Sequence, residues 1–315
     1  MTVLAIDVGG SGSRVALSRD DAVPREEILG GRAEVGPDGS TVPELVLALL
    51  AAARQRWPDE TAVLDGVAVG ATGLGSLVAD PAELARAVRS TTHAPTAVAI
   101  DAVTAHLGAL GGAGGAVVVL GTGAIAVGYG GPSGDLGWAR VDGWGHLLGD
   151  RGSGALVGME ALRAALRAHD GVDAAGAVLL DAARRRLGDP ETWPGQLYTR
   201  PDRAGVLATF AVDVVDLAAQ GEPTAHRVVA DAGADAARSA VAALGPGTPA
   251  VVALTGGLAR AADGVLRSAF STTVAALRPD VRVQEPAGDP LDGALALARS
   301  ASVDGVEEQK GFVWT

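Results

Sequence analysis

A chain of 315 residues, 48% of them hydrophobic, is long enough to bury two ordinary cores, which excludes a small crosslinked scaffold. It contains no cysteine, so disulfides, thiolate nucleophiles, cysteine-ligated zinc and iron–sulfur clusters are excluded, and carboxylates, hydroxyls, histidines and backbone amides must carry the chemistry. A formal charge of −12, with Lys310 the single lysine among 25 basic residues, argues against nucleic acid or an anionic membrane as partner and for a small molecule.

Residues 3–7 are an apolar run closed by Asp7. Gly9, Gly10, Ser11, Gly12 and Ser13 follow, and 15–18 reads again as strand, so the segment is expected to be a hairpin on a glycine-rich turn. Alternating elements come next: a helix at 43–57, a strand at 67–70, a helix at 81–90, a strand at 97–101 and a helix at 103–110. Asp80, Pro81 and Glu83 form a capping-box start for the third of these. The glycine run 111–115 is the expected domain boundary. About 113 residues after the first hairpin the pattern recurs, with strands at 116–120 and 124–129 flanking Gly121, Thr122 and Gly123, which suggests two similar halves. The second half is then strongly helical (154–169, 174–187, 203–219, 223–244) before strand 250–255, helix 263–277, strand 281–285 and helix 291–300. Residues 301–315 read as a loose tail. No uncharged apolar run reaches about 18 residues, so neither a signal peptide nor a membrane span is expected, and the expected compartment is the cytoplasm.

Glycine turns bind phosphate when exposed backbone N–H groups converge on the anion with no side chain in the way. Both hairpin turns could do so, and each could equally be an ordinary tight turn. A P-loop is excluded, since no Gly-x-x-x-x-Gly-Lys-Ser/Thr occurs and the one lysine lies near the C-terminus. No Gly-x-Gly-x-x-Gly occurs, and strand instead of helix follows the first turn, so a dinucleotide-binding motif is also out. Asp7 at a strand end must be hydrated, hydrogen-bonded or near a cation, and it suits water-mediated contact with Mg²⁺. Asp101 could be a helix N-cap or a general base that takes a proton from a hydroxyl during phosphoryl transfer. The densest segment is 142–154; within it Asp150 could accept hydrogen bonds from sugar hydroxyls or serve as a cap or solvated loop acid, and His146 reads as structural. Thr255-Gly256-Gly257 at a strand-to-helix turn suits close approach of a nucleotide's sugar or base, and Thr72-Gly73-Leu74-Gly75 follows the strand of the first half in a comparable position.

The segments 6–13, 120–126, 143–154 and 255–257 occur in the order of one family: the sequence resembles the BadF/BadG/BcrA/BcrD ATPase family and, within it, the N-acetylglucosamine kinases, over about residues 3 to 300. The resemblance implies an α/β, actin-like ATPase fold of two ribonuclease-H-like lobes with a cleft between them. The lobes would be 1–110 and 111–290, the second richer in helix, with helix 291–300 returning to the first. It implies ATP and Mg²⁺, with Gly9, Gly10, Ser11, Gly12, Ser13, Gly121, Thr122 and Gly123 at the phosphates, Gly256 and Gly257 at the adenosine and Asp7 at the metal. Asp101 would be the base, and Thr72, Gly73, Gly145 and Asp150 would lie near the sugar. The expected reaction is phosphorylation of an amino sugar, N-acetylglucosamine at its 6-hydroxyl first, with glucosamine, N-acetylmuramic acid or another hexose as alternatives. A nucleotide-dependent sugar sensor and an ATPase acting on a protein partner are the readings from other classes, and a homodimer is plausible by resemblance. Three positions depart from the family pattern: Gly12 where a cation is common, Arg151 where an acid follows Asp150, and Ile125 where animal enzymes have asparagine. The branch that activates dehydratases needs cysteines for its cluster and is excluded.

Overall fold

A computed structural model describes residues 1–10, 12–19, 26–36, 39–132, 136–262, 264–303 and 305–315. In chain order its elements begin with β1 (Val3–Val8), β2 (Ser13–Ser18), β3 (Glu26–Gly30), β4 (Val35–Gly36), β5 (Gly39–Ser40), α1 (Val42–Arg56), α2 (Pro58–Thr61), β6 (Gly66–Ala71), α3 (Pro81–Thr92), β7 (Thr96–Ile100) and α4 (Asp101–Ala109). Next come β8 (Gly115–Leu120), β9 (Ala124–Tyr129), β10 (Trp138–Asp142), α5 (Gly154–His169), α6 (Ala177–Leu187), α7 (Trp193–Tyr198), α8 (Arg203–Ala219) and α9 (Pro223–Ala242). The chain closes with β11 (Val251–Thr255), α10 (Gly257–Ala261), α11 (Val265–Leu277), β12 (Arg282–Gln284), α12 (Pro290–Val303) and β13 (Val313–Trp314).

These elements form two compact units, one of residues 1–114, 130–138 and 286–315, the other of residues 115–129 and 139–285. Residues 130–138, expected in the second lobe, group with the first unit, where Gly130 N–H donates to Leu136 O and the Gln309 side chain binds both backbone groups of Trp138. The first unit holds a six-stranded sheet in the order β13-β7-β6-β1-β2-β3. Its β1–β2–β3 meander is antiparallel, whereas β1, β6 and β7 run parallel. β6 and β7 are buried along their whole length, the condition that makes an alternating apolar pattern disappear in favour of runs of Val and Ala. Asp80 caps α3 as read, its carboxylate accepting from Glu83 N–H at 3.1 Å. Helix α12 packs on α4, β6 and β1, and its approach to α4 is close because Gly293 and Gly108 lack side chains; a Cβ on Gly293 would strike the Thr104 carbonyl and one on Gly108 the Asp289 carbonyl.

The second unit holds a five-stranded sheet in the order β10-β9-β8-β11-β12, again a hairpin (β8–β9) followed by parallel strands (β8, β11, β12). α5, α8, α9 and α11 surround a core that includes Trp193, Phe210, Leu266 and Phe270. Among the described residues no single helix is long and apolar enough to cross a membrane; α8 and α9 meet the length and composition only together, as a pair bent by 113°.

Two readings are corrected. Residues 174–187 are not one helix, since a short 3₁₀ turn at Ala174–Gly176 precedes α6. The closing residues are not a loose tail: Val313 and Trp314 pair antiparallel with Ala99 and Val98 and are 1% and 8% exposed. β7 offers an unpaired edge, and apolar Val313 and Trp314 cover it, which is why a segment without helical or strand periodicity orders.

Candidate active site

Asp7 lies one residue from the end of β1, opposite Arg14 on β2 and Gly70 on β6. Its carboxylate accepts from the Arg14 guanidinium at 2.9 Å, and the same guanidinium reaches Asp289, just before α12, at 2.7 Å. The turn beyond β1 is tight, with Gly9 N–H donating to Gly12 O at 2.9 Å. A Cβ on Gly10 or Gly12 would meet nothing within 4 Å, so the backbone of this turn is open to an approaching group. Ser11 lies outside the described residues. Ser13 does not belong to the open turn: it is 3% exposed, in register with Val8 and Gly30, and its hydroxyl donates to Gly31 O at 2.6 Å.

Asp101 is the first residue of α4, and the N-cap is Ile100, so the cap reading of Asp101 does not hold. The Thr72 hydroxyl and the Ala102 N–H lie close enough to its carboxylate to favour the ionised form. Burial pushes its pKa up to about 6, the negative charge of Asp7 pushes in the same direction, and the neighbouring donors pull the other way. Thr72 is placed by its own N–H, which donates to Val8 O at 2.9 Å, so the residue after β6 is tied to the end of β1. Gly73 adopts φ 72° to turn the chain, and its carbonyl accepts from Ser76 and Leu77. The first unit thus brings together Asp7, the open turn at Gly9, Gly10 and Gly12, Thr72, Gly73 and Asp101.

In the second unit the β8–β9 turn closes with Gly121 N–H on Gly123 O at 2.9 Å, and Gly154 and Ala155 at the start of α5 donate to Gly121 O and Thr122 O. Asp150, at φ 59° and 8% exposed, accepts from Gly145 N–H at 2.9 Å and from Ala124 N–H, and its carboxylate lies where a Cβ on Gly123 would sit. Burial raises its pKa, and the Asp142 charge adds to the rise. Its established contacts are therefore backbone ones that join the glycine turn to the loop after β10. Gly256, at φ 108°, crosses so close to Leu120 that any side chain would overlap the Leu120 carbonyl, while Gly257 stands in open space at the start of α10. Gly121, Thr122, Gly123, Gly145, Asp150 and Gly256 are thereby assembled from three separate parts of the unit's sequence. A groove of about 430 Å³ between α5 and α9, lined by Glu160, Arg167, Arg227 and Asp231 among others, contains none of the expected site residues.

Sequence reasoning passed over two organising residues. Arg14 supplies a cation beside the first turn although Gly12 does not; the register of the hairpin, in which Asp7 and Arg14 are partners, was the available signal. Asp142, 3% exposed at φ 66°, accepts from Asp150 N–H at 2.8 Å and Arg151 N–H at 2.7 Å and so holds the whole 142–151 loop. Arg151 keeps its guanidinium 3.4 Å from Asp142, and Ile125 packs under Gly143. Above these buried feet the loop exposes Trp144, Leu147 and Leu148, with Arg140 stacked 4.2 Å from the Trp144 ring.

The model of the BadF/BadG/BcrA/BcrD ATPase family matches residues 4–295. The chain is similar to an N-acetylmuramic acid/N-acetylglucosamine kinase of Clostridium acetobutylicum, 29% identical over 175 residues, 53% of this chain and 54% of that protein, so the match spans about half the length of that curated relative. A solved structure of a candidate N-acetylglucosamine kinase from Chromobacterium violaceum is 27% identical with a TM-score of 0.69, over 94% of this chain and 98% of that one. A ROK family glucokinase from Streptomyces griseus, solved with glucose and AMPPNP, has a TM-score of 0.58 at 17% identity over 95% of this chain and 100% of that one, a likeness of fold. The expected α/β fold class, actin-like with two sheets, is the one these structures share.

Proposed function

We propose that this chain, which belongs to the BadF/BadG/BcrA/BcrD ATPase family, is an ATP-dependent sugar kinase acting on an amino sugar, with N-acetylglucosamine at its 6-hydroxyl as first acceptor and N-acetylmuramic acid next. The observation that carries the reading is Asp101: a partly buried carboxylate, oriented by the Thr72 hydroxyl and raised to about 6, is poised to hold a proton transiently near neutral pH. The names of the kinases to which the chain is similar support the acceptor class.

In the proposed reaction the acceptor hydroxyl attacks the γ-phosphorus as its proton passes to an oxygen of Asp101, and the bond from the γ-phosphorus to the β–γ bridging oxygen breaks to release ADP. Thr72, whose hydroxyl favours the ionised form of Asp101, is assigned to hold that carboxylate facing the acceptor. With the Gly9 and Gly121 amides closing their own turns, the amides of Gly10 and Gly12 and of Thr122 and Gly123 are assigned to phosphate oxygens, Gly256 and Gly257 to the adenosine, and Gly73 and Gly145 to the sugar. Asp150 is assigned to the sugar side through the loops that it ties, since two of its acceptor positions hold Gly145 and Ala124.

The donor set fits Mg²⁺ held at second hand. No group of three histidine or acidic residues able to hold a metal occurs among the described residues, and Asp7 already binds Arg14, whereas Mg²⁺ characteristically keeps several waters and needs one or two carboxylates plus phosphate oxygens. Asp7 would hold it through water, and the ion would offset the charge of the phosphates.

The test is ADP release from Mg·ATP with N-acetylglucosamine, N-acetylmuramic acid, glucosamine, N-acetylmannosamine, glucose or no sugar. Saturable turnover with one sugar is expected. ATP consumption that is the same without sugar would replace the kinase reading by a protein-partner ATPase, and binding of nucleotide and sugar without turnover by a sensor.

A further inference from the structure

We infer that the C-terminal turn and strand, residues 309–314, position the Asp101 carboxylate; the inference rests on the reading of Asp101 as the proton acceptor. The segment reaches the surroundings of Asp101 by three routes, all within the first unit. Phe312 O accepts from the N–H of Ile100, the residue before Asp101, at 3.0 Å. Val313 and Trp314 then pair with Ala99 and Val98, so that β7 is an interior strand up to the point where α4 begins.

The second route runs through the loop that carries Thr72. A Cβ built on Gly75 would stand 3.8 Å from both the Gly311 carbonyl oxygen and Ile100 Cγ2, which puts the tip of the C-terminal turn against the segment whose hydroxyl orients Asp101. The third runs behind α4. The Gln309 amide accepts from Trp138 N–H at 2.6 Å and donates to Trp138 O at 2.7 Å, and the Trp138 ring stands edge-on at 5.1 Å to the fully buried ring of His106, which lies on α4 as Asp101 does.

The turn is internally rigid: Phe312 N–H and Val313 N–H both donate to Gln309 O at 2.9 Å, Gln309 N–H donates to Val313 O at 3.0 Å, and Gly311 takes φ 86°. A carboxylate that must meet a hydroxyl at hydrogen-bond distance is sensitive to shifts of about 1 Å, which cost about 10²-fold in rate, so a brace on its strand, its loop and its helix together acts on turnover more than on nucleotide binding.

The test uses the full-length chain. Gly311→Ala strains the turn through its positive φ, Gln309→Ala removes both bonds to Trp138, and Gly305→Ala, at φ 73° with open space around it, applies the same strain outside the turn. Each variant is assayed well below its unfolding temperature, with its folded fraction checked by near-ultraviolet circular dichroism. For Gly311→Ala and Gln309→Ala, kcat is expected to fall about tenfold or more with KM for ATP within about twofold, and Ile100 amide hydrogen exchange to quicken about tenfold. Gly305→Ala is expected to match the wild type in all three. Wild-type kcat in both Gly311→Ala and Gln309→Ala, a loss equal to that of Gly305→Ala, or unchanged exchange at Ile100 would each overturn the inference. If the wild type phosphorylates no sugar, the functional reading fails by itself, and the exchange measurement still decides whether the turn holds the strand before Asp101.

Discussion

Asp101→Asn is expected to make the protein more stable at alkaline pH while nearly abolishing turnover. The folded-state pKa of about 6 lies above the ordinary carboxylate value of 3.8, so folding disfavours the ionised form. The sign follows from proton binding: between these two values the folded chain binds more protons than the unfolded one, so this group's contribution to stability falls as pH rises through the window and is constant above it. The full cost of ionisation is about 3 kcal/mol at pH 8 and about half that at pH 5, taking about 1.4 kcal/mol per tenfold change in proton affinity. Asparagine removes the charge but gives a weaker acceptor to Thr72 and to the Ala102 N–H, so a net gain of about 1–2 kcal/mol at pH 8 is expected, or a rise in Tm of a few degrees, and a smaller gain at pH 5. Turnover should fall by about 10² or more with nucleotide affinity nearly intact. Thermal unfolding of both proteins at pH 5 and pH 8, with kcat at pH 8, checks this. An asparagine variant no more stable than the wild type at pH 8, or a difference independent of pH, would refute the assignment of a raised Asp101 carboxyl, and near-normal kcat would remove Asp101 from the chemistry.

Asp7→Asn removes the charge that is the second cause of the raised Asp101 pKa, so the acid limb of kcat against pH should move to lower pH, while burial, the first cause, keeps it above the ordinary carboxylate range; a limb that does not move would separate the two carboxylates. Gly256→Ala combines a positive φ with overlap on the Leu120 carbonyl and should destabilise the second unit by about 2–4 kcal/mol, read as a lower denaturant midpoint. Asp142→Ala deprives Asp150 N–H and Arg151 N–H of a buried charged acceptor, which should cost about 3–5 kcal/mol and raise KM for the sugar more than KM for ATP; a larger rise for ATP would place the 142–151 loop on the nucleotide side.

The two hairpins, the alternation of helix and strand that follows the first, and the helices of the second half were legible in the sequence because each rests on local chemistry: apolar runs bounded by glycine, or apolar residues at helical spacing. The same locality explains the Asp80 cap and the closure of the first turn by Gly9 N–H on Gly12 O, each a bond between residues three apart. Ser13 sits on β2 and not in that turn, and its hydroxyl is bound by Gly31, eighteen positions along; in sequence a buried hydroxyl on a strand looks like one more polar residue of a glycine loop.

What only the tertiary structure decided are the relations between distant segments, since a sequence pattern records how a residue sits in its own element and not which other element lies across from it. Residues 309–315 carry no periodicity, yet they order because β7 leaves an edge to cover and Trp138 leaves two backbone groups for Gln309. Asp101 could be read as a strand-end carboxylate from its neighbours alone; its nearness to Asp7 and its bond to Thr72 arise because β1, β6 and β7 lie side by side in register. Local chemistry therefore determined which residues could act, and the register of parallel strands, set by burial on both faces of the sheet, determined which of them share a site and at what proton affinity.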